Sequence, residues 1–363
     1  LLIDSQQSNT ANLKESFVNK HYYFLAMGAW LVAVSTGAAL DSIKTKNGSM
    51  LGKIVNTSPL NIEIEQGANA EHKEIPVNQI DIIFYNDELS SIRNAKNSIL
   101  SEHYEEALNI LSRLKIDAVT RKELREDMEF YTALSTAQLA IGGSGKIADA
   151  GRLMIAFTKN YPDSYHYFQA CEIVGDLLVA NRSYAQAEEY YAKVAKAPWP
   201  DYQMRAGVAI GRALLAQGKH SEALNAFEKV LANERKDALS QAQSMAARMG
   251  KAAVLVDMKK NDEAVKLVQS VLNQADPDDA GAMARAYNIL GNALRQEGKK
   301  KEAILAFLHV DLLYASVPDA HAEALWNLAE LWDELHKIDR AARARQILEQ
   351  QYKNSPWAQK GGQ

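Results

Sequence analysis

Covalent staples are all but missing from this chain: its 363 residues include a single cysteine, Cys171, so no intrachain disulfide can form. A zinc site would have to be built from histidine and carboxylate alone. The eight histidines are scattered, and no two stand at the i, i+4 spacing of a helical metal pair. Neither sign of charge dominates, with 41 basic against 45 acidic residues. A formal net charge of -4 supplies no overall positive field to recruit nucleic acid or an anionic membrane. No nucleophile elbow and no cofactor fingerprint is present, so no catalytic, cofactor-binding or metal-ligating residue is expected. The one glycine cluster that ends in lysine, "IGGSGKIADA" (residues 141–150), does not fit a phosphate loop. Ala140 stands where the first glycine of that loop belongs, and Ile147 replaces the hydroxyl that would hold magnesium. The preceding "EDMEFYTALSTAQLA" has helical spacing instead of the β-branched strand such a loop follows, so the cluster reads as a turn between helices.

What is present is an ordinary globular composition, 47% hydrophobic and 24% charged, long enough for more than one domain. Residues 18–39 have the three-part layout of a secretory signal: Lys20, an uncharged apolar run over residues 22–34, then small residues ending in Gly37, Ala38 and Ala39. Cleavage is expected after Ala39. The alternative is an uncleaved membrane anchor, because residues 22–40 carry no charge and approach the roughly 20 residues that span a bilayer. Residues 1–17 are polar and out of place in such a signal; they are expected to be disordered, or untranslated if Val18 is the start through a non-AUG codon. Either reading puts the rest of the chain outside the cytoplasm, in the periplasm or cell envelope, or anchored at the inner membrane. Membrane contact is expected only through that uncleaved segment.

Residues 41–86 read as five short strands. "SIKTKNGSMLGKIV" holds Asn47-Gly48 between two alternating runs, a hairpin signal with a type I′ turn. "LNIEIE" alternates Leu60, Ile62 and Ile64 inward, "KEIPVNQIDIIFY" supplies two more strands, and Gly52 marks a sharp bend that would let a small sheet curl closed. A small five-stranded β-barrel-like domain is expected. The pattern resembles the Sm-like group of small barrels, many of which bind RNA. Here the segment lacks a surface of interleaved aromatic and basic residues, so a structural or docking role is expected and nucleic acid is not.

From residue 87 to residue 357 the apolar period is 3.6, and an internal repeat emerges. In "VGDLLVANRSYAQAEEYY", "IGRALLAQGKHSEALNAF" and "LGNALRQEGKKKEAILAF" a glycine (Gly175, Gly211, Gly291) precedes an alanine (Ala187, Ala223, Ala303) by twelve residues. An aromatic (Tyr191, Phe227, Phe307) follows that alanine by four. The same register pairs Ala95 with Ala107, Ala252 with Ala264 and Ala329 with Ala341, and Ala150 completes a series of seven. Small residues let two antiparallel helices approach closely, and the aromatic fills the space beside them. This resembles the tetratricopeptide repeat family, whose helix-turn-helix unit has a small residue in its first helix, alanine opening the second and an aromatic one turn later. The resemblance implies a mainly α fold, a right-handed α-solenoid of about seven repeats behind the β segment, with residues 358–363 as a tail. Anchor spacings between 36 and 43 residues exceed the family's 34, and the second and seventh units lack the aromatic. "FTKNYPDSYHYFQACEIVGDLLVANRSYAQAEEYYAKV" is also similar in pattern to exported repeat proteins of the cell envelope.

Such solenoids generally bind partners on the face built by their first helices. Counting from the small position puts Gln169, Glu172 and Asp176 there in repeat three, and Arg205 and Arg212 in repeat four. Arg285, Asn288, Asn292 and Arg295 form one helical stripe in repeat six. Resembling units that hold peptide C-termini use asparagine and basic side chains on this face, which implies a protein or peptide partner. A solvated polar helix face is the alternative. Trp326 in repeat seven is either an anchor of that groove or an end-cap core residue. Cys171 reads as a small buried hydrophobe. Together these observations point to a noncatalytic interaction scaffold, with a membrane-tethered assembly component docked through the β segment as the alternative.

Overall fold

The computed structural model describes residues 40–67, 69–116 and 119–360, which all belong to one compact unit. The readings on residues 1–17 and 18–39 lie outside the described residues, as do the last three residues of the tail. No helix of the described residues is long and apolar enough to cross a membrane.

Five antiparallel strands come first: β1 (Asp41–Thr45), β2 (Gly48–Thr57), β3 (Asn61–Gln66), β4 (Glu71–Pro76) and β5 (Ile80–Phe84). Their order is β4-β3-β2-β1-β5. β2 changes partner half-way, pairing with β1 up to Gly52 and with β3 from Lys53, so the bend expected at Gly52 falls where the strand leaves one neighbour for the next. The expected barrel does not close. β4 and β5 are the two edges, joined by a short 3₁₀ turn over Val77–Gln79, and no ladder links them. The inward isoleucines explain why: Ile43, Ile62, Ile64, Ile75, Ile82 and Ile83 are buried in a core that continues into the helices, instead of around a core of the sheet's own. Two local details also differ. The first hairpin turns on Lys46 and Asn47, with Gly48 already paired to Thr45 and neither central residue at positive φ, because the Thr45 hydroxyl bonds the Asn47 amide and the Gly48 carbonyl. Leu60 precedes β3 and is exposed.

Seven helix pairs follow: α1 (Ser90–Leu100) with α2 (Tyr104–Leu111), α3 (Lys122–Ile141) with α4 (Ile147–Asn160), and α5 (Tyr167–Ala180) with α6 (Tyr184–Val194). Next come α7 (Pro200–Ala216) with α8 (His220–Ala232), and α9 (Ala238–Asp257) with α10 (Asn261–Gln274). The last are α11 (Ala280–Gln296) with α12 (Lys300–Leu313), α13 (Pro318–Glu334) with α14 (Ile338–Gln351), and the short α15 (Pro356–Lys360). Each of the seven anchor alanines lies in a second helix with no exposed surface. The repeat signature has a direct steric cause. A Cβ on Gly211 or Gly291 would stand 2.6 Å from the ring of Phe227 or Phe307, so the glycine makes room for the aromatic of its own repeat.

The sheet is locked to the first repeats by buried charge. Lys96 on α1 is 1% exposed; its ammonium donates to the Ile83 carbonyl (2.7 Å) and pairs with Glu88 (2.9 Å) and Asp127 of α3 (2.7 Å). Tyr165 and His166 add hydrogen bonds of 2.7 and 2.9 Å to the same Asp127 oxygen. Burial would push the Asp127 carboxyl up, but Lys96 and His166 outweigh it and hold the group below the usual carboxylate range. A second lock is the bidentate Arg121–Asp41 pair, at 2.9 and 2.8 Å.

The glycine cluster that ends in lysine acquires a second purpose. Repeat two and repeat seven touch: the Asn354 amide donates to the Gly143 carbonyl (3.0 Å) and the Ser144 hydroxyl to the Gln351 carbonyl (2.7 Å). Asn354 Nδ2 also donates to the Gly145 carbonyl at 3.2 Å. Gly143 has φ +86°, and a Cβ on it would stand 2.6 Å from Ser355 Cα. Only glycine satisfies both the backbone angle and the close approach.

Candidate functional site

The polar residues that the first helices carry fall into two clusters. In the first, α5 presents Glu172 and Asp176 one helical turn apart, and α7 presents Arg205 and Arg212 two turns apart, so the two helices meet as a ladder of opposite charges. Arg205 Nε lies 3.4 Å from Glu172, and Arg212 lies 3.6 Å from Asp176. Asp176 is further held by the Tyr191 hydroxyl, which donates to it at 2.8 Å. Burial raises the Glu172 carboxyl above the usual range despite Arg205, and the carboxylate of Glu172 in turn raises Arg205. Gln169 stands apart from these pairs and lines a cavity of about 70 Å³ with Tyr131, His166 and Tyr202.

In the second cluster the α11 stripe engages α13. Asn288, buried, donates from Nδ2 to the Ala320 carbonyl (2.8 Å) and to Glu323 (3.3 Å), and Asn292 donates to Glu323 at 2.8 Å. Arg295 donates to the Asn327 side-chain oxygen (2.9 Å) and pairs with Glu334 (3.0 Å). Arg285 lies 3.5 Å from Asp319. Burial pushes the Glu323 carboxyl up to about 7, against the two asparagine amides that favour its charged form. Trp326 packs on Trp357 of α15, with ring centroids 5.5 Å apart, which puts it in the end cap while the Arg295 guanidinium lies 5.5 Å above its ring.

Burial would lower Arg212, but Asp176 and Glu172 outweigh it and raise the group, with a lesser pull from Asp319, which also pairs with Arg285. The α1–α2 turn approaches the second cluster. Burial raises the Glu102 carboxyl, and that group feels Arg285, Asp279 and Asp319. Asp319, Glu323 and Glu102 were missed in the sequence. Glu323 had a readable signal, since it stands six residues before the small position Ala329, the register that Gln169, Arg205 and Arg285 occupy before Gly175, Gly211 and Gly291. Asp319 stands off that register and Glu102 feels groups from distant repeats, so neither had one. Among the described residues no group of histidine, cysteine and carboxylate side chains is placed to hold a metal ion.

With this geometry in view, a tetratricopeptide repeat model matches residues 208–280 and a second matches residues 284–315. Residues 208–315 carry tetratricopeptide repeats. No curated protein matches it in sequence. Among solved structures it is similar to a Rap protein complexed with competence and sporulation factor, at 13% identity and a TM-score of 0.53, covering 72% of this chain and 74% of that one. A tetratricopeptide repeat protein from Parabacteroides merdae is similar over 72% of this chain and 92% of its own, at 14% identity and a TM-score of 0.45. The residues matched by sequence run from within α7 to the end of α12, and they include Arg212 of the first cluster and the whole α11 stripe.

Proposed function

We propose that this chain is a noncatalytic scaffold that recruits a protein or peptide partner through the polar face of its first helices. The observation that carries the reading is the α11 stripe. Arg285, Asn292 and Arg295 present guanidinium and amide donors in one line, with buried Asn288 beneath them, the side-chain chemistry that grips an extended backbone and its carboxylates. In the chain alone these donors are taken up by Asp319, Glu323, Asn327 and Glu334, so a partner exchanges its own acceptors for those of repeat seven. The Rap protein whose fold is similar was solved as a complex with competence and sporulation factor, which supports a recruiting role for this architecture.

The scaffold acts in the cell envelope, exported to the periplasm by residues 18–39, or tethered to the inner membrane if they remain uncleaved. The signal-like layout of those residues supports this. No cofactor and no nucleic acid takes part. A second reading is favoured by exposed Leu51 and Val55, apolar residues on β2: the sheet docks the chain to a larger membrane-tethered assembly.

The test compares proteins captured in the native envelope by wild type, by Arg285→Glu with Arg295→Glu, and by Leu51→Asp with Val55→Asp, each checked first for an unchanged melting curve. Loss of the dominant partner in the arginine variant alone supports the first reading. Loss in the sheet variant alone supports the second and overturns the first.

A further inference from the structure

The end cap holds an unusual cation. Trp326 and Trp357 stand with their planes tilted by 41°, and the Lys360 ammonium lies over both rings, 3.8 Å from the Trp357 centroid and 4.9 Å from that of Trp326. Two indole faces around one ammonium make a cation–π site, and indole is the ring that binds cations best. Glu323, three residues before Trp326 on α13 and therefore on the same side of the helix, is the carboxylate that Lys360 feels. Among the described residues Lys360 makes no ion pair, so the rings hold it with a carboxylate behind them and no direct salt bridge.

The occupant is weakly secured. Lys360 ends a five-residue helix that buries none of its own residues, far below the length at which a helix sustains itself in water. Partial burial lowers the Lys360 ammonium against the pull of Glu323, while the residue keeps an exposed surface. Trp326 is the firmer of the two rings, because it sits in the middle of α13, flanked by buried Leu325 and Asn327, whereas Trp357 shares α15 with Lys360.

We propose that Trp326, Trp357 and Glu323 form a receptor for a lysine ammonium of the partner protein, and that Lys360 is an internal occupant which the partner's lysine replaces. This rests on the scaffold reading and narrows the partner to one that presents an exposed lysine beside the α11 stripe. A compact ammonium fits better than a guanidinium, since Arg295 already supplies a guanidinium to Trp326 and the vacated position is that of a lysine.

The probe is the blocked peptide acetyl-Ala-Lys-Ala-amide, with its norleucine analogue as control, titrated against the full chain and followed by the indole NMR signals of Trp326 and Trp357. Removing a competitor tethered in place raises apparent affinity by the inverse of the open fraction, so Lys360→Ala is expected to bind the lysine peptide about tenfold more tightly than wild type. The norleucine peptide is expected to show no gain, and adding Trp357→Ala is expected to abolish binding. Trp357 packs against the C-terminal core, so that variant is checked first for an unchanged melting curve, and Trp326→Phe provides a second loss that keeps an aromatic ring in place. No gain in Lys360→Ala, or equal binding of the norleucine peptide, overturns the proposal and makes Lys360 a brace of the end cap. A gain in Lys360→Ala without any envelope partner for the full chain would sink the scaffold reading and leave the receptor standing.

Discussion

Replacing Lys96 with methionine removes the charge that joins the sheet to the helices. Lys96 is 1% exposed, and the side chains of its two carboxylate partners, Glu88 and Asp127, have no exposed surface. Methionine matches the lysine stem in volume, so packing is largely kept and the loss is electrostatic. Glu88 retains Arg93 at 3.2 Å, while Asp127 retains only the neutral donors Tyr165 and His166, whose imidazole burial holds below its usual range. Breaking a buried pair from one side leaves an uncompensated charge and costs about 3–5 kcal/mol. The first three repeats are expected to lose that amount, read by amide exchange of α1, α3 and α5 and by the first transition in urea, because repeat arrays need not unfold in one step. The pH dependence has a definite sign. The Asp127 carboxyl is depressed in the folded chain, so its stabilising contribution is present above the ordinary carboxylate range and is lost as pH falls through its folded value. In Lys96→Met burial is no longer outweighed, so lowering the pH to protonate Asp127 is expected to recover part of the lost stability. Adding Asp127→Asn should return part of the stability, since the orphaned charge is then gone. A single-variant loss below about 1 kcal/mol, or a double variant less stable than the sum of the two singles, would refute the reasoning.

Three further outcomes follow from the same geometry. Phe307→Ala empties the space that Gly291 creates and is expected to cost about 3–5 kcal/mol in repeat six by urea unfolding, whereas Phe307→Leu costs less. Gly143→Ala strains a backbone at φ +86° and collides with Ser355, so the distance between spin labels at Lys146 and Lys353 is expected to lengthen by pulsed EPR while the repeat cores melt unchanged. Glu323 has a folded value of about 7, raised from 4.5, so its protonated form stabilises the fold below the unfolded value and that contribution is lost as pH rises through 7. Glu323→Gln is therefore expected to match wild type near pH 4 and to exceed it at pH 8, by at most roughly 3 kcal/mol for a shift of that size, in urea titrations at the two pH values.

The repeats were legible because they obey a local rule. The glycine, the alanine twelve residues on and the aromatic four beyond that belong to one helix pair, and their contact forms within it. The stripe of Arg285, Asn288, Asn292 and Arg295 was legible for the same reason, as four side chains on one face of one helix. Their partners were not. Asp319 and Glu323 meet them only because α13 stacks on α11, and nothing local to α11 records that angle. The glycine cluster shows the limit most plainly: its composition announced a turn, yet the demand for glycine at position 143 comes from Ser355, more than two hundred residues away. The sheet failed in closure for a related reason. Its strands alternate as a small barrel would, but the inward isoleucines are satisfied by α1, α3 and α5. The lock of Lys96, Glu88 and Asp127 left no trace in the sequence, because a lysine in an amphipathic helix reads as solvated until its neighbours are known.

The central claim is that the first helices recruit the partner, and site-specific photo-crosslinking in the native envelope tests it most directly. A photoreactive residue at Arg205 or Arg285 reports on that face, and one at Leu312, exposed on the second helix of repeat six, reports on the other. The account predicts a discrete crosslinked partner from positions 205 and 285 and none from position 312. Crosslinks confined to position 312 would contradict it.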